Sequence, residues 1–140
     1  MQVKEYLLQI KDLTEDVKDQ ENYIQRLKDS LNIAGIQYDK VRVQTSPDAD
    51  KFAYIFARID EEEDVLADLK EKLIKTKVNI INEIHELENE KYKELLNIVY
   101  VDMKSLGKAA KIMSFSYDYV KELHGEALNA FSRKFPPHTT

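Results

Sequence analysis

The 140-residue sequence contains no cysteine and no tryptophan, and it has only three glycines and three prolines. Without cysteine, it has no disulfide and offers no thiolate to a metal ion or a substrate. So few glycines and prolines leave little that would interrupt a helix. Charged residues make up 34% of the chain, a high share that suits long helices with solvated faces. These features predict an all-α protein.

The sequence also lacks a long apolar run. No stretch approaches the roughly 18 consecutive apolar residues that indicate a membrane-spanning helix. Its first residues, MQVKEYLLQIKD, are charged throughout and do not resemble a secretory signal peptide. We therefore expect a cytoplasmic protein without membrane association.

Motifs that carry catalysis are missing as well. The chain has no G-x-S-x-G, no glycine-rich phosphate loop and no H-E-x-x-H. The acidic run Asp60–Asp64 suggests a metal site, but a helical di-metal site requires Glu-x-x-His motifs, and this sequence has none. The run therefore indicates a solvated acidic face. We expect no enzymatic activity, no cofactor, no metal and no small-molecule substrate.

Apolar residues recur every three or four positions through the first 33 residues. This spacing places them along one side of a helix, as in a coiled coil. The single polar member, Gln20, is either tolerated in the core or fixes the register of the helix pair. The series consists of Val3, Tyr6, Ile10, Leu13, Val17, Gln20, Ile24, Leu27 and Leu31.

Residues 34–47 interrupt this pattern. Gly35 is typical of a left-handed residue that ends a helix, and Ser46 followed by Pro47 is typical of a helix start. Two interpretations of the connector stay open. One is a nucleic-acid contact through Lys40, Arg42, Thr45 and Ser46, and the other is a plain connection whose apolar residues pack on the helices.

A second long helix is predicted from about Asp48 to Leu87. About 40 residues form a rod of roughly 60 Å, which the first helix covers only in part when it folds back. We therefore predict a long antiparallel coiled-coil-like helical hairpin over residues 1–89. The uncovered apolar length would be buried by the C-terminal helices or by a second copy, and we expect a homodimer. The apolar series consists of Phe52, Ile55, Ile59, Leu66, Leu69, Leu73, Ile80 and Leu87, interrupted by Glu62, Thr76 and Glu83.

The C-terminal part has the pattern of a helix-turn-helix. Apolar residues at helical spacing stop at Ser114, and Ser116 supplies the hydroxyl that an N-cap requires before the apolar face resumes at Val120. With Ser105 as another N-cap, the pattern predicts helices at about 90–101, 105–113 and 116–131. Residues 90–134 would form this module, followed by a flexible tail at 135–140. Val120 and Leu123 are expected to pack against Leu106, Ala110 and Met113.

Charge is divided between these two parts. Residues 1–89 carry a net charge of −7, whereas residues 90–140 carry +2. Such a division is typical of a nucleic-acid reader joined to a separate region for protein interactions.

Two stretches resemble known families. The stretch SLGKAAKIMSFSYDYVKELHGEAL (Ser105 to Leu128) resembles, without a gap, the helix-turn-helix of the C-terminal region of bacterial sigma factors. Together, Asp39–Asp60 and Tyr92–Phe131 resemble the ArpU/RinA-type phage transcriptional regulators, over about two thirds of the chain. The matching elements are Val43-Gln44-Thr45-Ser46-Pro47, Ser116-Tyr117, Leu123-His124-Gly125 and Ala127-Leu128. The chain departs from the usual pattern at Ser114, where the turn normally has glycine, and at Ala109, where a β-branched residue is usual.

The resemblance implies a phage or prophage regulator of late genes that acts in the host bacterial cytoplasm. We expect the helix-turn-helix to bind double-stranded promoter DNA. The long helices would form the homodimer or present a surface to another protein such as RNA polymerase. Two alternatives stay open: a DNA-packaging component of small-terminase type, and a protein-interaction module that has lost DNA binding.

Candidate DNA contacts follow from the position of each residue on the module. Residues near the start of a recognition helix reach base edges, and basic residues on its flanks reach phosphates. His124 has two interpretations, a contact with DNA or a partly packed side chain. The candidate set consists of Ser116, Tyr117, Asp118, Lys121 and His124 on the recognition helix, with Lys104, Lys108, Lys111 and Arg133 for flanking phosphates.

Overall fold

The computed structural model describes residues 2–36 and 51–136, and these residues are helical with no strand. The all-α class is thus confirmed for the described part, in which no helix has the length and apolar character needed to cross a membrane. The helices are α1 (Val3–Leu7), α2 (Gln9–Ile33), α3 (Ala53–His85), α4 (Glu90–Leu96), α5 (Leu106–Met113) and α6 (Tyr117–Lys134). A π-helical turn, Asn97–Val101, continues α4.

Several predicted boundaries need correction. The first helix is broken at Leu8, where ψ rises to −7°, so that α1 and α2 replace one continuous helix. The second long helix begins at Ala53 because Lys51 and Phe52 form a turn, and it ends at His85. The predicted start at Ser46 and Pro47, and the proposed loop contacts between Lys40 and Ser46, lie outside the described residues.

The contacts within the chain group it into two units, which we describe separately. The terminal unit comprises Met1–Leu13 and Leu73–Thr140, and the middle unit comprises Thr14–Lys72. This grouping differs from the predicted division at residue 89. The reason is that residues of α1, the start of α2 and the end of α3 share a core with the C-terminal helices.

In the middle unit, Gln20 and Glu62, which are polar members of the two apolar series, contact each other. Gln20 Nε2 donates to the Glu62 backbone carbonyl at 3.0 Å and to its carboxylate at 2.6 Å. Two further residues of α2 and α3, Lys28 and Glu63, form an ion pair at 3.0 Å. Two carboxylates of the acidic run 60–64 are therefore engaged by side chains of α2 at partly exposed positions. The predicted inward residues of this unit Val17, Ile24, Leu31, Ile59 and Leu66 are all buried, as is Leu13 of the terminal unit, and Phe56 is buried in addition to them.

Gly35 ends α2 as the sequence predicts. Its φ is +77°, and the N–H of Ile36 donates to the Leu31 carbonyl at 3.0 Å. This is the hydrogen bond of a Schellman motif, which requires a left-handed residue just after the helix. Glycine adopts that conformation without the steric cost that a Cβ atom brings.

The terminal unit has one core that joins its first and last helices. Tyr6 of α1 lies with its ring centroid 6.0 Å from that of Phe131 in α6, and its hydroxyl donates to the Glu83 carboxylate of α3. Burial, followed by the neighbouring Glu83, raises the pKa of Tyr6. The buried members of this core are Leu7, Ile10, Ile80, Ile84, Leu87, Leu96, Tyr100, Ala127 and Phe131.

Candidate nucleic-acid interface

Helix α4 begins at a cap that the sequence analysis did not identify. The Asn89 side chain accepts hydrogen bonds from the backbone N–H groups of Lys91 and Tyr92, at 2.9 and 3.3 Å. An asparagine directly before a helical pattern is a known signal for such a cap. The cap defines where Lys91 lies, in the first turn of α4.

Helix α5 is bounded by two serines that play different roles. Ser105 Oγ accepts from the N–H of Lys108 at 3.1 Å, which confirms the predicted N-cap. At the other end Ser114 has φ 61° and ψ 41°, the left-handed conformation. The N–H of Phe115 then donates to the Ala110 carbonyl at 3.0 Å and completes a Schellman motif. A serine therefore adopts the left-handed conformation that glycine adopts at lower steric cost.

Helix α6 starts at Tyr117, three residues after Ser114. Ser116 Oγ accepts from the N–H of Tyr119 at 3.2 Å, so Ser116 is the predicted N-cap. Its hydroxyl is thus engaged in holding the first turn of the helix.

Side chains of α5 and α6 pack together in a second core, as the sequence predicts. Val120 and Leu123 of α6 are buried in the same cluster as Ala109 and Ala110 of α5, and Leu106 and Met113 line it. Small alanines allow two helices to approach closely. Leu95 and Ile98 complete the cluster from α4 and the π-helical turn.

The first turn of α6 presents three consecutive exposed residues. The Tyr117 side chain is 51% exposed, and Asp118 and Tyr119 are exposed beside it. Lys121 Nζ lies 5.8 Å from the Tyr117 ring centroid, within range of a cation–π contact. The structure therefore brings Tyr117, Asp118 and Lys121 together at the start of this helix.

The structure adds a basic residue that the sequence analysis missed. Lys91 Nζ lies 3.3 Å from the Tyr119 hydroxyl, 5.4 Å from the Phe115 ring centroid and 5.7 Å from that of Tyr119. The Phe115 and Tyr119 rings meet edge to face at 4.8 Å. Lys91 precedes these aromatic residues by more than 20 positions, so sequence spacing gives no signal for the contact.

His124 is partly packed, as one of its two interpretations expected. Its Nε2 lies 2.7 Å from the Tyr100 hydroxyl, and the two rings stack with centroids 5.7 Å apart. Burial, followed by the positive charge of Lys4, lowers the pKa of His124, and burial raises the pKa of Tyr100 to about 12. A DNA contact through Nε2 would have to replace the bond to Tyr100.

The other basic candidates are distributed around the module. Lys104, Lys108 and Lys111 are exposed before and along α5. Lys104 also lines a cavity of about 330 Å³ together with Lys11, Met103 and Ser105. Arg133 is exposed in the last turn of α6, roughly 24 Å along the helix from Tyr117 at 1.5 Å per residue. Arg133 is therefore not brought together with the residues of the first turn.

Comparisons with protein-family models, curated proteins and solved structures found no match for this chain.

Proposed function

We propose that the chain is a transcriptional regulator of phage type that binds double-stranded DNA through α5, the turn at Ser114 and α6. The observation that carries the proposal is the arrangement of these two helices. Ser114 supplies a left-handed turn and Ser116 caps α6, while Val120 and Leu123 pack on the alanines of α5. Packing through these residues leaves the first turn of α6 exposed, where a recognition helix contacts bases.

The resemblance to ArpU/RinA-type regulators adds the biological setting to this proposal. The protein would act in the cytoplasm of a host bacterium, at promoters of late phage genes, with RNA polymerase as a further partner. The mildly basic charge of residues 90–140 supports DNA binding by this part of the chain.

Self-association is part of the proposal, and an exposed apolar stripe on α3 supports it. Ile74, Val78 and Ile81 follow one another at helical spacing, with side chains 62%, 48% and 38% exposed. They lie on a common face of the helix because residues three and four apart are neighbours. A stripe of this kind is suited to a second helix, and a homodimer would supply one.

Selection from a pool of random DNA duplexes, followed by fluorescence anisotropy on the selected site, tests the proposal. We expect a defined site bound far more tightly than unrelated duplex, with affinity that falls as salt rises. Lys121→Ala should weaken binding. If Lys121 contacts a phosphate, the slope of log affinity against log salt concentration should become shallower by about one. If it contacts a guanine, about 1–3 kcal/mol of discrimination between bases should disappear at one base pair.

Lys18→Ala, which removes the same charge from α2, is the control and should bind as the wild type does. Unchanged affinity and salt dependence in Lys121→Ala would remove Lys121 from the interface. Failure of the wild type to enrich any duplex would refute DNA binding as a whole.

A second candidate function is a protein-interaction module without DNA binding. The observation in its favour is the acidic character of α6, where Asp118, Glu122 and Glu126 are all exposed. Carboxylates repel the phosphate backbone and weaken nonspecific attraction to DNA. The absence of an enriched duplex would favour this module. A ring of eight or more copies in solution would instead favour the packaging component.

A further inference from the structure

In the first turn of α6, the most outward-facing side chain is negatively charged. Successive residues of an α-helix are about 100° apart, so Asp118 lies midway around the helix between Tyr117 and Tyr119. Val120 and Leu123 are buried, and Asp118 points away from them. The side chain that points farthest from the core in this turn is therefore the Asp118 carboxylate. Glu122 places a second carboxylate on the same face one turn later.

Lysines lie on both sides of this acidic line. On one side Lys121 Nζ lies 5.8 Å from the Tyr117 ring centroid. On the other side Lys91 of α4 lies 3.3 Å from the Tyr119 hydroxyl. Each ammonium is associated with a tyrosine of the first turn, so the two positive charges flank the carboxylate of Asp118.

This pattern matches the chemistry of a major groove. A helix with its side chains is about 10–12 Å across, and the groove is about 12 Å wide, so the flanks of an inserted helix lie beside the phosphates of the two strands. The outermost residue then faces the base edges. In that groove only cytosine and adenine present amino donors, and a carboxylate pairs with cytosine N4.

We propose that α6 enters the major groove with Asp118 facing a cytosine, while Lys91 and Lys121 contact phosphates on opposite strands. The inference rests on the proposed DNA binding and adds the recognition chemistry. It assigns Asp118 as a specificity-determining residue and Lys91 as a phosphate contact contributed by a different helix.

Another explanation of Asp118 has to be separated from this one. An acidic residue in the first turn also stabilises a helix through its dipole, without any ligand. That role predicts lower stability in Asp118→Asn but the same preferred DNA sequence. The proposal predicts a changed sequence preference.

The experiment is random-duplex selection with the wild type, Asp118→Asn and Asp118→Glu, each checked by circular dichroism for folding. The wild type and Asp118→Glu should select a site that requires cytosine at one position, because both carry a carboxylate. Asp118→Asn should lose that requirement, with discrimination between cytosine and other bases reduced roughly 5- to 150-fold. The same selected sequence in Asp118→Asn would overturn the readout by Asp118.

The phosphate contact is tested by salt dependence on the selected site. Lys91→Gln should flatten the slope by about one unit, as a single lost phosphate contact requires. Lys93→Gln is the matched control, because Lys93 lies in the same helix and pairs with Glu90 at 3.3 Å. A Lys91→Gln slope equal to that of the wild type would overturn the role of Lys91 and leave DNA binding itself intact. A wild type that selects no duplex would refute the proposed function together with this inference.

Discussion

Replacing Ala110 by leucine tests the packing of α5 on α6 directly. Ala110 is 5% exposed, packs in the same cluster as Val120 and Leu123, and accepts the N–H of Phe115 through its carbonyl. Leucine would add an isopropyl group where two helices and their turn are in contact. Overpacking of a core typically costs about 1–3 kcal/mol, because side chains leave their preferred rotamers and the backbone shifts.

The expected loss is large enough to measure. For a chain of this size, 1 kcal/mol corresponds to about 2–4 °C in the melting temperature, so Ala110→Leu should melt about 2–12 °C lower. Because the helices must separate to accommodate leucine, binding to the selected DNA site should also be lost. The far-UV helical signal at low temperature should remain, since α2 and α3 contain most of the helical residues.

Thermal melting by circular dichroism and anisotropy on the same purified protein are the assays. Ala57→Leu makes the same change at an exposed position of α3, and it should leave both readouts unchanged. Wild-type stability and affinity in Ala110→Leu would show that Ala110 does not lie at the contact between the helices. The packing assigned to this pair would then be wrong.

Three further predictions concern the turn, the buried histidine and the apolar stripe. Ser114→Gly should raise the free energy of unfolding in urea by about 0.5–1 kcal/mol, because glycine has no Cβ atom to clash in the left-handed conformation. The greater chain entropy of glycine in the unfolded state offsets only part of this stabilisation. A decrease would refute steric strain at Ser114. Since the pKa of His124 is lowered from 6.5 in the folded state, the unfolded chain takes up a proton first as the pH falls. The free energy of unfolding is therefore highest above about pH 6.5 and declines as the pH falls below it. His124→Gln should remove this decline in denaturation experiments between pH 7.5 and 5. An identical pH dependence in the variant would exclude His124 as its source. Val78→Lys should convert a dimer to a monomer in sedimentation velocity, because it places a charge in the centre of the stripe; a wild type that is already monomeric at high micromolar concentration would rule out self-association.

The spacing of apolar residues predicted the inward faces of the two long helices. Val17, Ile24 and Leu66 are buried as expected, since burial of one helix face determines this pattern. Leu7 was missed. The spacing rule describes one helix packed against one partner, whereas Leu7 lies in a core to which α3, α4 and α6 also contribute.

Local features of the candidate site could be predicted, and its long-range contacts could not. The caps at Ser105 and Ser116 depend on a side chain and an N–H a few residues away, so sequence is sufficient for them. Asn89 gave the same kind of signal and was overlooked. The contact of Lys91 with Tyr119 depends on how α4 and α6 pack, and the π-helical turn before α5 has no simple sequence signal.

The core of the terminal unit has a consequence for synthesis of the protein. Tyr6, Leu7 and Ile10 emerge from the ribosome long before their core partners Ala127 and Phe131, which follow much later in the sequence. Contacts between residues so far apart in sequence form late in folding, because closing the long loop between them costs chain entropy. Until then the apolar face of α1 is covered only in part, by core residues of α3 and α4 such as Ile80, Ile84 and Leu96. A product cut short before α6 would lack Ala127 and Phe131 and would leave part of that core exposed, which is the kind of surface that promotes aggregation.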